Sequence, residues 1–220
     1  MPTTDLAARF DAGLASFPLV AILRGITPAD AEAVAKVLYA EGFRIIEVPL
    51  NSPQPFESIA LIRRVLPVDA LVGAGTVLHP DDVQRLCEAH GEIAVMPHAD
   101  PHLIRAAKDA GLICVPGVVT PTEAFAALAA GADALKLFPA ELVSPAAVKA
   151  LRAVLPKATR LLPVGGITPA NMAPYIAAGA NGFGLGSALY APGRSAIEVA
   201  ARARDFAAAG RSFGVVSDVA

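Results

Sequence analysis

The chain has 220 residues, a length that suits one barrel-sized domain better than two small ones. Its net charge of −2 excludes a basic surface for nucleic acid or an anionic membrane, and no apolar run approaches the roughly 20 residues that cross a bilayer. The two cysteines, Cys87 and Cys114, have neither metal-ligand spacing nor the pattern of a secreted disulfide framework, so we expect a cytoplasmic protein.

The first segment, residues 1–17, predicts an amphipathic helix. Asp5, Arg9 and Asp11 are spaced among apolar residues, which favours a helix over a signal peptide. Eight short apolar segments follow, many of them β-branched, as is typical of parallel strands buried on both faces. These predicted strands are 19–23, 45–48, 71–72, 93–96, 112–115, 134–138, 161–164 and 182–185.

A proline follows a polar residue beyond each of the first seven predicted strands, and Ala191-Pro192 is a weaker eighth case. Most of the preceding residues are Ser, Thr or Asp, which predicts an N-cap with proline at the first helical position. The segment from Thr120 to Glu123 also fits a capping box. Helices such as 29–41 and 122–130 are therefore expected after the strands. The seven pairs are Thr27-Pro28, Ser52-Pro53, His79-Pro80, Asp100-Pro101, Thr120-Pro121, Ser144-Pro145 and Thr168-Pro169, and the expected helix-ending glycines are Gly42, Gly111, Gly131 and Gly179.

Eight strand-then-helix units predict the fold class. We expect an α/β protein with a single compact (β/α)8 TIM barrel spanning residues 1–220, preceded by the extra helix at 1–17. A loosely ordered tail is expected at 210–220. A doubly wound open sheet is the structural alternative, but units of similar length favour closure.

Two charged residues lie inside apolar strands, where an unpaired charge is costly. Lys136 is in the sixth predicted strand and Glu47 in the second, and these strands lie on opposite sides of an eight-stranded barrel. Burial lowers the pKa of a lysine, and the neutral amine can attack a carbonyl to form a Schiff base. Glu47 would then carry protons beside it. The alternatives are a lysine that reaches water and a buried ion pair without chemistry.

Further candidates follow the strands at their carboxyl ends, where barrels bind substrates. Arg24 ends the first strand and offers a fork for a carboxylate or phosphate, and Thr76 follows the third. Gly166, Gly186 and Ser187 lie in the glycine-rich turns after the last two strands, where backbone N–H groups bind phosphate in many barrels. Solvation of the arginine, capping by the threonine and tight turns at the glycines are the structural alternatives.

One cluster resembles a metal site. His98, Asp100 and His102 offer two imidazoles and a carboxylate, which would suit a divalent ion and metal-dependent enolate chemistry. However, Asp100-Pro101 already predicts a helix cap, which would point the neighbouring side chains in different directions. We therefore expect no metal and no other cofactor.

Five motifs together resemble one enzyme family. The chain resembles the 2-keto-3-deoxy-6-phosphogluconate/galactonate aldolases over residues 19–190, which implies a Schiff-base aldolase without a metal. The resemblance implies that Lys136 forms the imine and that Glu47 is the acid/base residue. It also implies a phosphorylated keto acid substrate, pyruvate as a product and a homotrimer. Arg24 and Thr76 would contact the substrate, and Gly166, Gly186 and Ser187 the phosphate. The motifs are 21–27, 47–53, 73–77, 135–139 and 164–167.

Two differences from the gluconate-type enzymes indicate which branch of the family the chain resembles. Leu50-Asn51-Ser52 and Val164-Gly165-Gly166 are similar to the galactonate branch, whereas gluconate-type enzymes carry Leu-Arg-Thr and Thr-Gly-Gly at these places. Asn51, Pro97 and Val164 are the candidate specificity residues. The rival functions are an aldolase for the gluconate epimer or 4-hydroxy-2-oxoglutarate, a phosphate-binding isomerase or synthase, and a non-catalytic sugar-phosphate sensor.

Overall fold

The structure is a computed structural model that describes residues 6–212. Its strands are β1 (Leu19–Ile22), β2 (Ile45–Pro49), β3 (Leu71–Gly75), β4 (Ile93–Val95), β5 (Ile113–Val115), β6 (Gly117–Val118), β7 (Leu135–Leu137), β8 (Leu161–Pro163) and β9 (Phe183–Leu185). Its helices are α1 (Leu6–Ser16), α2 (Pro28–Ala40), α3 (Pro55–Val65), α4 (Pro80–Glu88), α5 (Pro101–Asp109), α6 (Pro121–Ala129), α7 (Pro145–Val154), α8 (Met172–Ala177) and α9 (Ala196–Ser212).

The strands pair in parallel, which confirms the α/β fold class. Six strands form a sheet in the order β5-β4-β3-β2-β1-β9, and three form a second sheet in the order β6-β7-β8. Pro116 stands between β5, which matches the fifth predicted strand, and the two-residue β6, which lies beyond the predicted end of that strand. At the other junction, a parallel bridge joins Val164 to Gly184 of β9. All eight predicted strand positions are confirmed.

Alternating side chains separate an inner from an outer cluster of the core. In β2, Ile45 belongs to the inner cluster and Ile46 to the outer one, which packs under the helices. In β7, Leu135 and Leu137 join the outer cluster, while Ala134, just before the strand, joins the inner one. Period-two alternation therefore directs Glu47 and Lys136 to the inner side.

The N-terminal helix closes the inner cluster. Phe10 and Leu14 of α1 are buried against inner strand residues, and Arg9 donates a hydrogen bond to the Glu92 carboxylate at 2.6 Å. The predicted helix is confirmed over residues 6–16; residues 1–5 lie outside the described part. The predicted tail is wrong for residues 210–212, which continue α9, and its remainder lies outside the described residues. Within residues 6–212, none of the helices is long and apolar enough to cross a membrane.

The prediction that the polar residue before each proline caps a helix is confirmed for some helices and wrong for others. Asp100, Thr120 and Ser144 each cap a helix whose first residue is proline, and Thr120 forms the expected capping box. Ser52 is not a cap, because its hydroxyl accepts a hydrogen bond from Gly25 at 2.9 Å and α3 begins three residues later. Thr168 is not a cap either, since α8 begins only at Met172. The four expected helix-ending glycines all have φ between 78° and 105°, a range that favours glycine.

Candidate active site

Lys136 is the central residue of β7, paired with Gly117 on one side and Leu162 on the other. Its side chain points to the inner face, and only 4% of the residue is exposed. The ammonium nitrogen lies 4.3 Å from the centroid of the Phe138 ring, whose π face favours a cation. Lys136 is therefore a buried amine that also lines an open cleft.

Glu47 lies deeper, in β2, and is 1% exposed. Its Oε2 atom has no hydrogen-bond partner among the described residues, which leaves a buried carboxylate unsatisfied. Both carboxylate oxygens lie against Gly75, at the end of β3, where a Cβ atom would overlap them. The space for the Glu47 side chain thus depends on glycine at that position.

The electrostatics of the pair favour proton exchange. Burial raises the pKa of Glu47 to about 7, although the positive charges of Lys136 and Arg24 oppose the rise. Burial lowers the pKa of Lys136, the charge of Glu47 opposes this, and Arg24 adds to it. Both shifts favour the neutral forms, a carboxylic acid and a free amine. These are the forms that imine formation requires.

An open cleft of about 1530 Å³, solvent included, lies above Lys136. It brings together six of the predicted site residues, which are Arg24, Lys136, Val164, Gly166, Gly186 and Ser187. A second, smaller cavity, the inner cavity, is lined by Glu47 together with Lys136 and Val164. Ile22, Lys136 and Val164 line both spaces, so the cleft and the inner cavity that contains the Glu47 carboxylate adjoin at these three side chains.

Arg24 is positioned by the loop after β2. Its Nη1 atom donates a hydrogen bond to Asn51 Oδ1 at 2.6 Å, which turns the exposed guanidinium toward the cleft that it lines. The next residue, Gly25, donates its backbone N–H to Ser52. Asn51, predicted as a specificity residue, is thereby connected to the cleft through Arg24 and does not line it.

Thr76 and Pro97 lie outside both spaces. Thr76 follows Gly75 with a φ of 56°, a left-handed conformation that is uncommon for threonine. Pro97 is half-buried, and its carbonyl group lies against Gly117 of β6. These two positions are therefore next to the Glu47 and Lys136 strands rather than in the cleft.

The histidine cluster is arranged around a helix start. Asp100 accepts a hydrogen bond from the backbone of His102 at 2.8 Å, which confirms the predicted cap of α5. His98 and His102 are exposed. Among residues 6–212, no three His, Cys, Asp or Glu side chains are grouped so as to hold a metal ion.

Four residues that line or border the cleft were not identified from the sequence. Phe138 contacts the Lys136 ammonium, and the Glu141 carboxylate lies against the glycine turn after β8. Tyr190 and Arg194 line the cleft from the loop after β9. Phe138 ends the sixth predicted strand and Glu141 follows it, so the rule that site residues lie at strand ends would have found them. Arg194 lies nine residues beyond β9, too far along the loop for that rule.

The pKa of Glu47 leads to a prediction about stability. Folded Glu47 has a pKa of about 7, whereas the ordinary pKa of a glutamic acid is 4.5. Folding therefore takes up a proton between these values, and this contribution to stability is lost as the pH rises to 7. Glutamine does not titrate, so the free energy of unfolding of Glu47→Gln should not fall in this way as the pH rises. We expect this variant to be more stable than the wild type at pH 8, by roughly 3 kcal/mol at most.

Urea unfolding at pH 5 and pH 8 measures this difference. Glu88→Gln, at an exposed position of α4, is the control and should follow the wild-type pH profile. If Glu47→Gln and the wild type lose the same free energy of unfolding between the two pH values, the raised pKa is contradicted.

The chain is similar to known proteins over most of its length. Residues 10–203 match the family model "Aldolase: KDPG and KHG aldolase". The "Probable 2-dehydro-3-deoxy-6-phosphogalactonate aldolase" of Rhizobium meliloti (strain 1021) is 50% identical over 186 residues, 84% of this chain and 88% of that protein. The 2-dehydro-3-deoxy-6-phosphogalactonate aldolase of Escherichia coli (strain K12) is 46% identical over 194 residues, 88% and 95% of the two chains. A solved structure described as "Native KDPGal structure" has a TM-score of 0.88 at 45% identity, covering 90% of this chain and 96% of its own.

Proposed function

Because this chain belongs to the KDPG and KHG aldolase family, we propose that it cleaves 2-dehydro-3-deoxy-6-phosphogalactonate to pyruvate and glyceraldehyde 3-phosphate. It is an aldolase, a carbon–carbon lyase, and the resemblance stated from its motifs is confirmed. The observation that carries the mechanism is the pairing of a buried lysine with a buried carboxyl group below an open cleft. We assign Lys136 as the nucleophile and Glu47 as the acid/base residue.

The first half of the reaction forms the imine. The neutral amine of Lys136 attacks the C2 ketone, and the resulting carbinolamine holds a hydroxyl group that must leave. Protonated Glu47 gives its proton to this hydroxyl, which departs as water and leaves the iminium on Lys136. The pKa of about 7 allows Glu47 to be present as acid or base near neutral pH.

The second half breaks the carbon chain. The carboxylate of Glu47, left by the dehydration step, accepts the proton of the C4 hydroxyl, the C3–C4 bond breaks, and its electron pair enters the iminium to give an enamine on Lys136. Glyceraldehyde 3-phosphate is released. Protonation of the enamine carbon and addition of water then free pyruvate and restore the amine. We propose that Glu47 returns the protons, and that Arg24 and Thr76 hold the keto acid while Gly166, Gly186 and Ser187 hold the phosphate.

The fold proposal goes with this mechanism. We propose a closed (β/α)8 barrel that forms one domain, supported by Pro116, which links β5 to β6 and accepts a backbone hydrogen bond from Lys136 at 2.9 Å, and by the bridge from Val164 to Gly184. The two free cysteines support a cytoplasmic location. The family resemblance supports a homotrimer, and light scattering of the native protein at the mass of one chain would contradict it.

Substrate identity is tested by comparing epimers. We expect a higher kcat/KM for the galactonate than for the gluconate compound, with pyruvate release as the readout.

Val164 lines both spaces and packs its methyl groups over Gly184, so its side chain offers no hydrogen-bond partner to a substrate C4 hydroxyl beside it. Val164→Thr supplies a hydroxyl group as a partner. We expect the ratio of kcat/KM for the galactonate to that for the gluconate compound to fall by about tenfold. Val154→Thr, exposed on α7, is the control. An unchanged ratio in Val164→Thr contradicts its role.

A further inference from the structure

Arg194 stands in the loop between β9 and α9, outside every motif that identified the family. Its side chain is half-buried and lines the cleft that contains Lys136. The Nη1 atom donates a hydrogen bond to the backbone carbonyl of Ser187 at 2.6 Å. This contact holds the guanidinium at the end of the cleft formed by the turn after β9.

The charges of the cleft are distributed unevenly. Two of its lining residues, Arg24 and Arg194, are arginines with a permanent positive charge, Lys136 adds a buried amine, and one residue, Glu141, is an acid. Arg24 is engaged by Asn51 in the loop after β2, and Lys136 stands at the base of the cleft. The Glu141 carboxylate lies against Gly165 and Gly166 and is the one acidic group among the residues that line the cleft. An anionic group at this end is therefore drawn toward Ser187 and Arg194.

We propose that Arg194 is a specificity-determining residue that selects substrates whose far end is a phosphate over those that end in a hydroxyl group. The substrate's identity rests on the proposed function. Backbone N–H groups of the glycine turns bind neutral and charged oxygens alike, whereas a guanidinium gains its advantage from the phosphate charge and from paired hydrogen bonds. Glycine turns alone would favour the phosphate less strongly.

The test measures kcat/KM for aldol addition of pyruvate to glyceraldehyde 3-phosphate and to glyceraldehyde. Arg194→Ala should lower the value for the phosphorylated aldehyde roughly 10- to 100-fold, because a charge-assisted hydrogen bond is lost. The value for glyceraldehyde should stay within about twofold of the wild type. Arg194→Lys, which keeps the charge without the fork, should retain an intermediate preference.

Arg202→Ala is the matched control. The Arg202 guanidinium donates to the backbone carbonyl of Ala188 at 3.2 Å, next to the loop position that Arg194 contacts, but Arg202 does not line the cleft. The control should keep the wild-type preference. If Arg194→Ala lowers kcat/KM equally for both aldehydes, Arg194 only supports the loop through Ser187, and the proposal is overturned.

A direct binding measurement separates this proposal from the proposed function. Calorimetry with glycerol 3-phosphate, a phosphate ester that cannot react, reports on the phosphate end alone. If the wild type turns over neither aldehyde but binds glycerol 3-phosphate at least tenfold more tightly than Arg194→Ala does, the aldolase assignment fails and the role of Arg194 stands. Equal affinities of the two proteins, or binding too weak to detect in both, overturn the role of Arg194.

Discussion

Replacing Lys136 by methionine is expected to abolish covalent trapping of pyruvate and to lower kcat for cleavage by at least about 1000-fold. Methionine keeps an unbranched side chain of similar reach in the buried position beside Phe138 but has no amine to form the imine. Borohydride reduction in the presence of pyruvate, followed by peptide mass spectrometry, locates the adduct in the wild type. We expect it on Lys136.

Lys149→Met is the control for this experiment, since Lys149 is exposed on α7 and should be irrelevant to trapping. Near-ultraviolet circular dichroism shows whether each variant keeps its packing. A folded Lys136→Met protein that retains wild-type turnover would rule out the Schiff-base mechanism. In that case the isomerase or synthase alternative, in which the lysine acts only through its charge, becomes the better reading.

Replacing Glu47 by glutamine is expected to lower kcat about 100-fold or more while the protein remains folded, because general acid–base transfer typically contributes that much. Glutamine keeps the shape that fits against Gly75 but cannot exchange a proton at the carbinolamine. Imine formation with pyruvate should become slower and yet remain detectable, since Lys136 is still present.

The pH dependence distinguishes a chemical from a structural role of Glu47. The wild-type rate should depend on a group that titrates near pH 7, and this dependence should disappear in Glu47→Gln. Glu88→Gln should keep both the rate and the dependence. Wild-type turnover by Glu47→Gln would exclude Glu47 as the acid/base residue and leave it only an electrostatic influence on Lys136.

Prediction from sequence succeeded where the signal was local. The strands and most helix starts were recognised because burial on both faces requires runs of apolar residues and because a helix N-terminus requires a capping group. Ser52 shows where local chemistry misleads. Its position before a proline is that of a cap, but its hydroxyl is used by Gly25, whose position 27 residues earlier no local pattern reveals.

The sequence by itself determined the family, the parallel α/β architecture and the burial of Lys136 and Glu47, because a charge inside an apolar strand is visible in the chain alone. The tertiary structure decided which groups the side chains of the site contact. The room for Glu47 against Gly75 and the anchoring of Arg194 on Ser187 depend on strand register and on the paths of loops. These contacts arise only when the elements have assembled, since no residue pattern encodes the distance between side chains that different strands and loops bring together.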